Sequence, residues 1–168
     1  LGIHRDRGRL FNPAYIVSTS GQSIDKLDYV IDQVLTPAWE ARERVRPTKQ
    51  DSLASFAGRL VSLHGLKGFM TGQVVADMKY APVLRKAHDW QTWAISGPGS
   101  RRGLNRLCGR PLDQNWKEAE WLQTLGALQN EVNAQLKKEG HPLYPIHAQD
   151  LQNCLCETDK YIRAKLGE

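Results

Sequence analysis

Apolar residues recur at three- and four-residue intervals along most of the chain, and that period predicts helices. Leu27, Val30, Ile31, Val34 and Leu35 form a first stripe behind Ser23, a suitable N-cap. Pro37 is expected to kink or restart this helix, which Trp39 to Val45 carry on to Pro47. Asp51 is expected to cap a second helix with Leu53, Phe56, Ala57, Leu60, Val61 and His64 on one face, stopped at Gly65. A third is predicted over 66–80, ended by Pro82, and a short one over 83–95. After Gly97-Pro98-Gly99 the pattern resumes over 101–107. Asn115 then caps a long helix to about Lys138, with the stripe Leu122, Leu125, Leu128, Val132 and Leu136. Gly140, Pro142 and Pro145 interrupt the chain before a last helix over 147–166, which packs on Leu151, Leu155, Ile162 and Leu166. Only residues 14–17 alternate like a strand. The expectation is an all-α helical bundle over 23–168, preceded by an irregular basic segment over 1–22. Arg5, Arg7 and Arg9 in that segment suit either an arm on DNA or a frayed end.

Composition sharpens this picture only locally. Forty per cent apolar residues and five tryptophans are enough for one core. The net charge of +5 becomes informative through its distribution. Arg85, Lys86, Arg101, Arg102, Arg106 and Arg110 crowd into one window whose only acid is Asp89. Such density suits a polyanion partner, and equally a solvated basic face. Cys108, Cys154 and Cys156 have no second pair at zinc spacing, which points to reduced structural thiols and no metal site. No signal peptide or membrane-length apolar run is visible, so a cytoplasmic protein without membrane contact is expected. The chain opens at Leu1 without a methionine, as expected of a trimmed chain or part of a longer polypeptide.

The stretch from His88 to Cys108 carries the most chemistry. An apolar helix end is expected to run into Gly97-Pro98-Gly99, followed by a helix bearing Arg101, Arg102 and Arg106, with Ser100 as its cap. Glycines let backbone approach a ligand closely. The unpaired amides of a helix start carry partial positive charge and suit a phosphate. Gly103 would let two helices cross closely. The residues therefore read as a helix-hairpin-helix that grips the DNA backbone without reading sequence, with room for a monovalent cation at the turn. A plain Gly-Pro turn between helices is the alternative.

Two polar stripes add candidates. Gly68, Gly72 and Ala76 form a smooth strip, with Gln73, Asp77 and Tyr80 on a neighbouring face. An inward Asp77 would need a partner or a task. On the last helix, Asn153, Glu157, Lys160 and Tyr161 share a face, suited to proton transfer, phosphate handling or surface pairing such as Asp159 with Arg163.

Three ordered motifs, Gly68-Phe69-Met70…Gln73-Val74-Val75-Ala76-Asp77-Met78-Lys79-Tyr80, Gly97-Pro98-Gly99-Ser100…Arg102-Gly103-Leu104-Asn105-Arg106 and Leu155-Cys156-Glu157…Asp159-Lys160-Tyr161, resemble a bacteriophage family of thymine hypermodification enzymes. Its members are called alpha-glutamyl/putrescinyl thymine pyrophosphorylases or amino acid:DNA transferases. A related helical domain is found fused to 5-hydroxymethyluracil DNA kinases. The resemblance covers roughly residues 53–166; Thr158 departs from it, standing where a large apolar residue is expected.

The resemblance implies a fold similar to DNA glycosylases and action on double-stranded DNA with a flipped base in a phage-infected bacterial cell. There an amine from an amino acid or polyamine would replace the (pyro)phosphate on the 5-methylene of modified 5-hydroxymethyluracil, without a required cofactor. A hydroxymethyluracil DNA kinase would then be a partner. On that mechanism Lys79, Arg102 and Lys160 would meet the leaving group, and Asp77 or Glu157 would take the amine's proton. Gln73, Tyr80 and Tyr161 would contact the flipped ring, while Gly97, Pro98, Gly99, Ser100, Arg101, Arg102 and Arg106 would hold the DNA. The rivals are a glycosylase, which would draw its carboxylate from Asp113, Glu118 or Glu120, and a non-catalytic DNA-binding module serving a kinase. No Gly-x-x-x-x-Gly-Lys-Ser/Thr loop is present for a kinase acting alone.

Overall fold

The computed structural model describes Phe11 and residues 18–167. The basic arm with Arg5, Arg7 and Arg9 and the strand-like 14–17 lie outside the described residues. Those described contain helices and turns and no strand.

The first stripe forms one nearly unbroken run: α1 (Lys26–Asp28), a π-helical stretch Tyr29–Leu35, then α2 (Thr36–Glu40) and α3 (Arg42–Val45). Asp25, not Ser23, caps it, its carboxylate accepting from the amides of Leu27 and Asp28. Pro37 sits in the first turn of α2, at its junction with the π-helical stretch, so the run restarts there as expected. Tyr29, outside the predicted stripe, is buried and joins Ser20 Oγ at 3.0 Å and His64 Nε2 at 2.9 Å.

α4 (Leu53–Leu60) is capped by Ser52 rather than Asp51. Asp51 instead takes two hydrogen bonds from Arg59, which holds its carboxyl well below the ordinary carboxylate range. α5 (Phe69–Met78) follows a left-handed Gly68 (φ +48°), which ends the preceding loop and shortens the predicted helix at its start.

Residues 79–97 depart most from expectation. The predicted helix over 83–95 is a chain of turns, fastened by tertiary bonds. Asp89 accepts from the amides of Leu53 and Ala54 at the start of α4, and Trp90 Nε1 donates to the Lys79 carbonyl. With no helix before Gly97, the turn has a helix on its far side only. α6 (Pro98–Leu107) starts at Pro98, with Gly97 as N-cap; Ser100 lies one turn in, its Oγ accepting from the Gly97 amide at 3.0 Å. α7 (Glu118–Lys138) has Lys117 at its N-cap with no side-chain cap, so Asn115 does not play that part. α8 (Ala148–Leu166) begins at His147, as expected.

Two apolar cores result. One gathers Val45, Leu53, Phe56, Leu60, Val75 and Leu84, with Trp90 and Trp93 against it. The other gathers Leu104, Trp116, Trp121, Leu125, Leu151 and Leu155 between α6, α7 and α8. The seam between them is polar: buried Gln129 donates to the carbonyls of Gln91 and Ile146, and the Ala148 amide also donates to Gln91. No helix is long and apolar enough to cross a membrane among the described residues.

Candidate functional site

α6 and α8 cross almost backbone to backbone. A Cβ on Gly103 would stand 2.3 Å from the Leu155 carbonyl oxygen, and one on Gly99 would stand 2.5 Å from Cys156 Sγ. The predicted close crossing at Gly103 is therefore present. Gly72 likewise accepts Ile95 where a Cβ would collide with it, so its neighbour is the turn segment.

This crossing places the arginines on the last helix. Asp159 is buried; its two carboxylate oxygens accept from Arg106 Nε at 2.9 Å and Arg102 Nε at 3.3 Å. The predicted surface pairing of Asp159 with Arg163 is thereby corrected: the carboxylate points inward at the arginine helix. Arg101 reaches Glu118 at 2.7 Å and Ser96 Oγ at 2.8 Å, and Arg110 reaches Glu120 at 3.0 Å. Two of the carboxylates a glycosylase would draw on are thus engaged in ion pairs, and Asp113 stands in solvent.

An open cleft of about 370 Å3 lies against the start of α6, lined by Gly97, Pro98, Arg101, Arg102, Asp113 and Asn115. Its far wall is held by buried Asn105, whose Nδ2 donates to the carbonyls of Leu112 and Gln114. Arg101 and Arg102 thus border one concave surface at the start of α6. Pro98 has no N–H, and the Gly97 and Arg101 amides are taken up by Ser100 Oγ and the Gly97 carbonyl, so what suits an anion there is the pair of guanidinium groups.

The remaining predicted residues fall in two places. Glu157 and Lys160 pair at 2.6 Å on the solvent side of α8, beside exposed Tyr161 and one turn from Asp159. Asp77 is solvent-exposed, so the expectation of an inward carboxylate does not hold, and Gln73 is half-buried. Lys79 behaves oppositely to a surface cation: it is 1 % exposed, its ammonium 4.4 Å from the Trp90 ring centre and 5.3 Å from that of Tyr80. Burial pushes its pKa down, with Asp150 opposing.

Lys79 belongs to a cluster that sequence reasoning missed. Its Nζ lies 3.4 Å from His147 Nδ1, which in turn lies 2.9 Å from Asp150 Oδ2. The His147 ring meets Trp90 edge-on with centres 4.2 Å apart, and Trp90 meets Tyr80 at 90°. Only the i, i+3 spacing of His147 and Asp150 at a helix start is visible in the sequence; Lys79 lies 68 positions away. The expected catalytic set is therefore divided: Lys79 and Tyr80 sit at the start of α8, and Glu157 and Lys160 lie ten or more residues along it, about 15 Å away at 1.5 Å per residue. Among the described residues no three His, Cys, Asp or Glu side chains converge as metal ligands.

No curated protein and no solved structure matches the chain. A family model described as "5-hmdU DNA kinase, helical domain" matches residues 2–168. The match takes in the first fifty residues as well as the three motifs, and the chain therefore belongs to the family of helical domains of 5-hmdU DNA kinases.

Proposed function

We propose that this domain modifies 5-hydroxymethyluracil-derived bases in DNA, transferring an amine nitrogen from an amino acid or polyamine onto the 5-methylene carbon and displacing (pyro)phosphate. The observation that carries the reading is the meeting of Arg101 and Arg102 at the start of α6 over one cleft, in a chain that belongs to the family of helical domains of 5-hmdU DNA kinases. The guanidinium groups hold a phosphate of the strand, and Asp159 sets the angle of Arg102. Lys160, further along α8, adds positive charge to the surface that holds the strand. Exposed Tyr80 and Tyr161 offer faces on which a flipped base can stack. Asp77 and Glu157 are both exposed to solvent, and Glu157 is paired with Lys160.

The test is mass spectrometry of nucleosides from DNA bearing phosphorylated or pyrophosphorylated 5-hydroxymethyluracil, after incubation with the protein and a panel of amines. A nucleoside heavier by the amine, in an intact strand, is expected. Unchanged nucleosides alongside salt-sensitive binding would support instead a helical module that presents DNA to a kinase, with which the family's description is also compatible. Abasic strands would indicate a glycosylase.

The grip is tested separately. Arg101→Gln is expected to weaken duplex binding and flatten the plot of log affinity against log salt by about 0.9 for each phosphate no longer neutralised. A slope identical to that of the unsubstituted protein would remove this cleft from the DNA-binding surface.

A further inference from the structure

The start of α8 carries a constellation that the phosphate grip does not use. The imidazole of His147 has a carboxylate behind it, Asp150 at 2.9 Å from Nδ1, and an aromatic wall beside it in Trp90. The contact with Asp150 is the shorter of the two that Nδ1 makes and is charge-assisted, so Nδ1 carries the hydrogen and donates it. Nε2 is then the basic nitrogen, and among the described residues nothing hydrogen-bonds to it. The side chain is 16 % exposed, largely sheltered with part of its surface reaching solvent. Exposed Tyr80 stands edge-to-face with Trp90 and extends the aromatic wall outward. A base ordered by a carboxylate on its far nitrogen, next to surfaces that stack on a planar ring, has the build of a proton-transfer site.

We infer that His147 Nε2 is the general base that takes the proton of the incoming amine, with Asp150 orienting the ring. The inference rests on the amine-transfer reading above and names the group that reading lacks. The amine's lone pair forms the C–N bond to the 5-methylene carbon. The C–O bond breaks, and its electron pair leaves with the (pyro)phosphate. The N–H proton passes to Nε2, and the resulting imidazolium is stabilised by Asp150 until it releases the proton to water.

The groups that set this ring's protonation are few. Lys79 and Tyr80 face it from the end of α5, Trp90 from the turn segment and Asp150 from its own helix. Burial first, and then Lys79, lower the pKa of His147 from 6.5, while Asp150 raises it. The imidazole is therefore neutral, and able to accept, at neutral pH. Lys79 is the sensitising element: a buried ammonium that no substrate needs to touch, which keeps the ring unprotonated.

Three measurements on the same modified DNA and amine decide the matter. The transfer rate of the unsubstituted protein is expected to rise with pH through an apparent value below 6.5, the ordinary value, and then level off. His147→Gln is expected to abolish that limb and slow transfer by about 10²–10⁴-fold. Asp150→Asn removes the group that raises the pKa, so it should move the limb to lower pH and slow transfer less than loss of the imidazole does. A His147→Gln protein that keeps both rate and limb, while the unsubstituted protein transfers the amine, would overturn the role of His147 and leave the transferase reading intact. Absence of transfer by the unsubstituted protein would overturn both. If His147→Gln does not fold, ring-nitrogen NMR of the unsubstituted protein at pH 7 decides: Nδ1–H with bare Nε2 is expected, and an Nε2–H tautomer or a charged ring refutes the assignment.

Discussion

Gly103→Ala is expected to lower the melting temperature by roughly 4–10 °C, a net loss of about 2–3 kcal/mol for a domain of this size. The added methyl would stand 2.3 Å from the Leu155 carbonyl oxygen, 2.9 Å from its carbon and 3.2 Å from its Cα. All three atoms are backbone, so no side-chain rotation relieves the clash, and the whole of α6 must move off α8. That movement opens the packing of Leu104 against Leu151 and Leu155, which are buried in the same core. Alanine's better helix propensity returns about 1 kcal/mol, which is why the net figure is not larger. Gly58→Ala is the matched control: nothing lies within 4 Å of its added Cβ, inside α4. It should stabilise the protein by about 0.5–1 kcal/mol. Thermal and urea melts of the two variants check the pair. If Gly103→Ala melts with the unsubstituted protein, the close crossing is wrong.

Asp159→Asn is expected to cost about 2–3 kcal/mol and to weaken DNA binding with it. The carboxylate is 2 % exposed and accepts from two guanidinium groups, of which Arg106 is 16 % exposed and Arg102 32 % exposed. Removing one partner of a buried pair generally costs about 3–5 kcal/mol. Water reaches Arg102 and screens its share, which lowers the expected figure. The double variant Asp159→Asn/Arg106→Gln should be less destabilised than the sum of the two single ones, because the second change removes the charge that the first leaves uncompensated. Strict additivity in denaturant melts would show that the carboxylate and Arg106 do not interact. On the proposed reading the same substitution loosens Arg102 at the mouth of the cleft, so affinity for duplex DNA should fall as well.

Helix class and most helix positions were legible because the apolar period is strong and the proline and glycine breaks are well placed. Caps were less so. Ser23, Asp51 and Asn115 all have suitable side chains, yet Asp25 and Ser52 serve at two of the sites and the third has no side-chain cap. Neighbouring polar residues compete for the same amides within an energy difference that sequence does not rank. The failure over 83–95 has a different origin. That segment has a helical period, but its polar groups bond to distant partners: Asp89 to the start of α4, and the Gln91 carbonyl to Gln129 and Ala148. Tertiary bonds outrank a weak local preference.

The candidate site divides along the same line. Gly97, Pro98, Gly99, Arg101 and Arg102 could be found because neighbours in sequence form that surface. The inward turn of Asp159, the burial of Lys79 and its approach to His147 arise only when elements far apart in the chain are brought together. Asp77 was misjudged because its helix is apolar on nearly every side, which hides the one face that reaches water.

The polar seam at Gln129 has a consequence for reach. Trp90 and Gly97 are seven residues apart, at most about 25 Å even fully extended. The chain between them is fixed near one end, where the Gln91 carbonyl receives two hydrogen bonds. Directional bonds resist sliding in a way that greasy contacts do not. On the proposed reading this strut works as a ruler: with the sugar-phosphate chain seated at the turn, the nucleotide delivered to the imidazole is chosen by counting steps along the strand, whatever bases lie between.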